Sequence, residues 1–325
     1  MTALVIAGTC GCKSDADYTF LPNISGKAGE VLVIMNKDYW QGNTGAAVRD
    51  ILADDCPGLP QKEPLYTLVN VQPAGFGKMF KVHRNIVFFN IGGPTDSLGT
   101  ERIIFRNDVW AKPQCVIQVN SADPDSAAAI FKKNASVIVN TLEQAERDRV
   151  ISNTLHYEEI TLAPIVQQMT GGALHLSTGY KLKKKTDNFI WIADEKQYTN
   201  QGVFVYKYPV TTDNPFTLEQ IIAKRNEFLK ENVPGMFDNT YMITNEMAEP
   251  QLSFIKYKGR EFAETRGLWE VYNDYMGGPF VSHSFYSQDV KEIIVIEAFV
   301  YAPKYDKRQY LRQVESQLYT FEWKN

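Results

Sequence analysis

Cysteine is scarce, at 4 in 325 residues, and no CxxC pair or Cys/His spacing of the zinc-binding kind occurs. A disulfide-stapled scaffold and a structural zinc domain are both excluded. Positive charge is not in excess either: Lys plus Arg total 34 against 38 for Asp plus Glu, a net charge of −4. A non-specific polyanion binder carries the opposite balance, so nucleic acid is not an expected partner. No apolar run reaches the ~20 residues that cross a bilayer as a helix. Catalytic motifs are missing as well. The four histidines, His83, His156, His175 and His283, form no HExxH, and no GxSxG, Walker A or dinucleotide fingerprint occurs. No catalytic residue, cofactor or metal is therefore expected.

What is present is the composition of a folded protein, 44% hydrophobic and 22% charged, with enough length for one large domain or two modest ones. The N-terminus reads MTALVIAGTCGC, a short apolar core followed by small residues and cysteine, as at the tail of a secretory signal. Residues 1–11 are expected to be the remnant of a lipoprotein signal. Cys12, preceded by Gly11, is the preferred lipid-attachment residue over Cys10, which follows the bulkier Thr9. The polar, Gly/Pro/Ser-bearing stretch 12–29 is expected to be a tether. Cys56 and Cys115 remain; two unrelated buried thiols are the ordinary reading, and a disulfide between them stays open.

An α+β fold is expected, mainly antiparallel sheet with helices packed on one face. Glu30–Met35 (EVLVIM) reads as a buried strand and Thr44–Asp54 as an amphipathic helix. Leu65–Val71, Asn85–Ile91, Arg102–Trp110 and Cys115–Asn120 are β-branched and aromatic runs separated by turn residues. Asp123-Pro124 opens one long helix that closes a first half, 30–155. In the second half, 156–325, strand-like runs surround a helix announced by Thr217 and Gln220, and Asp306 is expected to cap a final helix. The likeness of MFKVHRNIVFFNI to YKLKKKTDNFIWIA keeps a duplicated α+β unit open.

Four groups of residues are candidates for chemistry. A three-residue turn at Asp289–Lys291 would place His283 opposite Glu297 as an acid/base pair, or as a satisfied structural pair. Lys181–Lys185, with Lys78, Lys81, His83 and Arg84, concentrates positive charge suited to phosphate or anionic sugar, or to protecting a strand edge. Aromatic side chains beside glycine, Trp40 and the Trp269 and Tyr272 segment, are candidate ligand surfaces or ordinary core packing, with Gly277-Gly278 as an obligatory turn. Glu158, Glu159, Glu261 and Glu264 supply dispersed carboxylates.

Several stretches together, GKAGEVLVIM, LPQKEPLYTL, FKVHRNIVFFNI, RGLWEVYNDYMGGPF and EAFVYAPKYDKRQYLRQVESQL, resemble an uncharacterised lipoprotein family of Bacteroides-type bacteria, a domain-of-unknown-function family. The resemblance implies export and lipidation and carries no activity, ligand or catalytic residue with it. The expectation is a lipoprotein of the bacterial cell envelope, held in the outer membrane through Cys12, with a non-catalytic binding or assembly role. An envelope protein or a glycan is its expected partner, and Trp40, Arg84, Trp269 and Tyr272 are the expected contacts. The alternative is an envelope hydrolase acting on glycan or peptide through the dispersed carboxylates.

Overall fold

A computed structural model describes residues 20–93 and 102–324; Cys10, Cys12 and the expected signal remnant lie outside the described residues. The α+β class holds, but the two halves are built on different sheets.

In the first half, β1 (Glu30–Ile34) leads through α1 (Lys37–Gln41) and α2 (Asn43–Leu52) to β2 (Thr67–Val71). A short helix, α3 (Lys78–Lys81), then precedes β3 (Asn85–Ile91), followed by β4 (Arg102–Asn107), β5 (Cys115–Ser121), α4 (Pro124–Lys133) and α5 (Ala135–His156). The strand order is β2-β1-β3-β5-β4, with β2, β1, β3 and β5 parallel and only the edge strand β4 antiparallel. The expected antiparallel sheet is therefore corrected here. Parallel strands need long crossovers, and the helices in 35–66 and 72–84 provide them. The strands read as near-continuous apolar runs because both faces are covered. Val31, Val33, Val87 and Ile117 pack beneath α2, α4 and α5, while Leu32, Ile34, Ile86 and Val116 pack against Phe76, Phe80 and Trp110. Each fully buried aliphatic side chain contributes roughly 1.5–3 kcal/mol.

The second half runs α6 (Ala163–Thr170), β6 (Gly172–Ala173), β7 (Lys181–Lys185), β8 (Phe189–Lys196), β9 (Thr199–Pro209) and α7 (Leu218–Asn232). It continues through β10 (Met242–Asn245), β11 (Gln251–Tyr257), β12 (Arg260–Val271), β13 (Gly277–Tyr286), β14 (Glu292–Tyr301), α8 (Arg308–Leu318) and β15 (Glu322–Trp323). Its large sheet is antiparallel, ordered β10-β12-β13-β14-β9-β8-β7, with β11 sharing the β12 edge. Helices cover both faces rather than one. Ile222, Phe228 and Leu229 of α7 lie on Phe204, Tyr206, Phe280 and Phe299, while Leu311, Val314 and Leu318 of α8 lie on Val203, Val205, Ile294 and Ile296. Alternation along each strand sends successive side chains to these two cores.

The unlike sheets rule out duplication. MFKVHRNIVFFNI spans a helix and a parallel strand, whereas YKLKKKTDNFIWIA is the β7-β8 hairpin. The expected tether is also shorter than 12–29. Ser25 N–H donates to Val82 O, Arg84 N–H donates to Ser25 O, and Lys112 N–H donates to Pro22 O. Gly26, at φ +89°, lets this strand-like segment lie on His83, whose Nε2 would sit 2.4 Å from a Cβ there.

Local capping signals set several helix ends. Asp123 accepts from Asp125 N–H and Ser126 N–H, with Pro124 in the first turn, although the expected long helix breaks at Asn134 into α4 and α5. Thr217 accepts from Gln220 N–H, but the Gln220 side chain turns to Thr212, so only half of the capping box forms. The final helix is not capped by Asp306. Glu63, from the first half, accepts from Lys307 N–H at 2.7 Å and Arg308 N–H at 2.8 Å.

Candidate functional site

Where the halves meet, α5 lies alongside α8, and a cleft of about 520 Å³ opens between them, β11, β12 and the loop carrying Cys56 and Leu65. Its polar wall is built by spacing. Glu143 and Arg147 stand one turn apart on α5, and Arg312 and Glu315 stand three residues apart on α8, beside the inward stripe of Leu311, Val314 and Leu318. Glu264 and Arg266 point the same way from β12 because alternate strand residues share a face.

Charges in the cleft are largely matched. Arg312 donates to Glu143 at 2.6 and 3.1 Å, and Tyr66 Oη donates to the same carboxylate at 2.6 Å. Arg266 donates to Glu264 at 2.8 Å and bridges to Glu315. Burial alone would raise the Glu264 carboxyl, yet His283 and Arg266 beside it hold it well below the usual carboxylate range. Glu264 also accepts from Tyr319 Oη at 3.2 Å. His283, fully buried and stacked on Phe262 with ring centroids 4.1 Å apart, is pushed down to about 4 by burial. Burial pushes the Cys56 thiol up to about 11, an inert rather than nucleophilic setting.

The residues singled out in the sequence fall in several places. His283 does not face Glu297: it pairs with Glu264 on β12, and Glu297 pairs with Ser282. The loop between β13 and β14 holds five residues, Ser287–Lys291, and shifts the expected register by one, which sends the two side chains to opposite faces. Glu297 instead takes a bidentate bond from Arg225 under α7. Gly277-Gly278 is not a turn but the start of β13. The reversal falls at Asn273, φ +60°, and glycine is needed at 278 because a Cβ would lie 2.0 Å from Val300 O. Trp269 is 2% exposed and donates to Val300 O, forming the floor of a small apolar pocket with Trp191 and Met242. Tyr272 is exposed, stacked on Tyr241.

Trp40 is half-buried under the Arg49 guanidinium, and Arg84 is bound to Glu146 at 2.7 Å. Both belong to the first half, apart from the Trp269 and Tyr272 segment. The Lys181–Lys185 run is the free edge of the large sheet, with Lys183 paired to Glu195. Lys78, Lys81 and Arg84 belong to the other half, where Arg84 is already paired with Glu146. Of the four dispersed carboxylates, Glu158 binds His175 at 2.6 Å, Glu159 binds Thr161, Glu261 is paired with Lys256 at the surface, and only Glu264 reaches the cleft. Cys56 and Cys115 are separate free thiols. Glu143, Arg147, Arg312 and Glu315 escaped the sequence reading. Their signal was charge at helical spacing on the border of an apolar stripe.

Among solved structures the chain is similar to the Saccharomyces cerevisiae Ran-binding protein Mog1p, with TM-score 0.31, 10% identity, and coverage of 47% of this chain and 90% of that one. It is also similar to a Bacteroides thetaiotaomicron protein, with TM-score 0.27, 8% identity, and coverage of 48% and 47%. No curated protein matches it. Residues 24–155 match the family DUF8532 and residues 160–320 match the family DUF4837. The chain is thus similar, half by half, to two families that are each a domain of unknown function.

Proposed function

We propose that the protein is a non-catalytic binding lipoprotein of the bacterial cell envelope, anchored in the outer membrane by lipid at Cys12, and that it holds its ligand in the cleft between the halves. The observation that carries the reading is the cleft itself, a concave site at the junction of two unlike units, where ligand sites are commonly found. Its carboxylates favour binding over hydrolysis. Glu264 and Glu315 are both held by Arg266, and the Glu264 carboxyl is held low, whereas a general acid needs a raised pKa. The N-terminal sequence supports the anchor.

Two measurements test the proposal. Cys12→Ala should move the protein from the detergent-extracted membrane fraction to the soluble one, while Cys10→Ala should not. Native mass spectrometry of the extracted protein should show a retained ligand that is lost in Asn140→Trp, which fills the cleft from an exposed position on α5. Membrane retention without Cys12, or steady turnover of envelope glycan or peptide by the purified protein, would overturn it.

A further inference from the structure

The cleft is not electrically neutral, although the protein as a whole is acidic. Arg147, Arg266, Arg308 and Arg312 line it against Glu143, Glu264 and Glu315, an excess of one positive charge. Lys256 also lines it but is matched by Glu261 at 2.8 Å. Arg266 and Arg312 are spent on the three carboxylates, and Arg308 gives its guanidinium to Pro64 O and Thr67 Oγ1. Arg147 is different. Among the described residues no carboxylate lies within 4.0 Å of it, and one hydrogen bond goes to Gln144 Oε1 at 3.1 Å. Its guanidinium lies 3.9 Å from the centre of the Tyr319 ring.

A stacked guanidinium is held flat with its edge available, the geometry in which arginine receives a carboxylate through two parallel N–H donors. Tyr257, edge-on to Tyr319 with ring centroids 4.8 Å apart, adds an aromatic face to the same wall. The remaining wall is apolar, formed by Leu65, Val139, Ile255 and Leu311.

We infer that the cleft takes a small organic carboxylate with a planar apolar body. Its head is received by Arg147, and its body lies against the aromatic and apolar wall. A single negative charge cancels the single excess positive charge. This inference rests on the binding reading above and gives it a ligand class.

Titration calorimetry on the full chain tests it, with benzoate and indole-3-acetate as probes and the isosteric neutral indole-3-acetamide as the comparison. Both carboxylates should bind saturably, and the amide should bind at least about tenfold more weakly. Arg147→Gln should weaken the carboxylates at least about tenfold while leaving the amide unchanged, and Arg147→Lys should recover part of the loss. Lys224→Gln, on α7 across the sheet, serves as the control and should change nothing. The charge-dependent difference is a readout that a merely structural Arg147 would not move. Equal binding of acid and amide, carboxylate binding that survives Arg147→Gln, or no saturable binding of either carboxylate would overturn the inference. A neutral ligand displaced by Asn140→Trp but indifferent to Arg147→Gln would sink the carboxylate and leave the binding reading standing. Absence of any cleft ligand would remove both.

Discussion

Replacing Glu297 by leucine strands Arg225 in the aromatic layer beneath α7. Both side chains are fully buried. Arg225 Nε and Nη2 donate to the two Glu297 oxygens at 2.9 and 2.7 Å, Nη1 donates to Thr244 Oγ1 at 2.8 Å, and the guanidinium lies 3.7 Å from the Phe280 ring centre. Removing one member of such a pair leaves a buried charge without a counterion, at a cost of about 3–5 kcal/mol. For a unit the size of the second half, each kcal/mol moves the melting temperature by ~2–4 °C, so a drop of ~6–20 °C is expected. The double substitution Arg225→Met with Glu297→Leu removes the desolvation penalty together with the attraction and should recover most of the loss. Scanning calorimetry of the three proteins measures both effects. A single variant melting within about 2 °C of the parent, or a double variant melting as low as the single, would show that the pair is not what holds this layer.

Stability should fall as pH drops from 7.5 to 5. The buried His283 is held down to about 4, so between its unfolded value of ~6.5 and pH 5 only the unfolded chain takes up the proton, a loss of about 2 kcal/mol. Glu264, held low, adds a loss of the same sign at still lower pH; His283→Gln should flatten the urea midpoint between pH 7.5 and 5, and an unchanged slope would count against a neutral buried imidazole. Gly278→Ala forces a Cβ to 2.0 Å from Val300 O, and the resulting overpacking should cost at least ~1–3 kcal/mol in chemical denaturation. Glu63→Gln weakens the cap on α8 by about 0.5–2 kcal/mol; hydrogen exchange at the Lys307 and Arg308 amides should accelerate first, and exchange unchanged there would assign the cap to another group.

How far the sequence carried the fold depends on the range of the interaction involved. Asp123-Pro124 and Thr217 act within one turn of chain, and each marks a helix start as its residue type requires. Strand existence was equally legible, but strand direction was not. β-branched runs look alike whether the next strand returns by a hairpin or by a crossover, and α3, only four residues long, leaves almost no helical periodicity to betray the crossover. Register was finer still. A one-residue shift in β13–β14 pairing sets Ile296 rather than Glu297 opposite His283, whose acidic neighbour is instead Glu264 on β12. The cleft was least legible of all. Arg147 and Arg312 are separated by more than a hundred and sixty residues in the sequence, and each reads as an ordinary solvated helix charge until the two helices are laid together.

The Glu63 cap also sets an order of events. Gln61, Glu63, Pro64 and Leu65 bind Lys307, Arg308 and Arg312 across sequence separations of 244 to 247 residues, and contacts so remote are the last that a growing or refolding chain can make. The partners of α8 wait in the first half until residues 307–319 are made, and until then the α5 wall of the cleft lacks its α8 side. Only when residues 307–319 emerge from the ribosome and dock is the cleft closed along α8. Ligand recognition of the kind proposed here therefore begins once α8 has docked, and a nascent chain still short of α8 has no complete site with which to compete for the ligand.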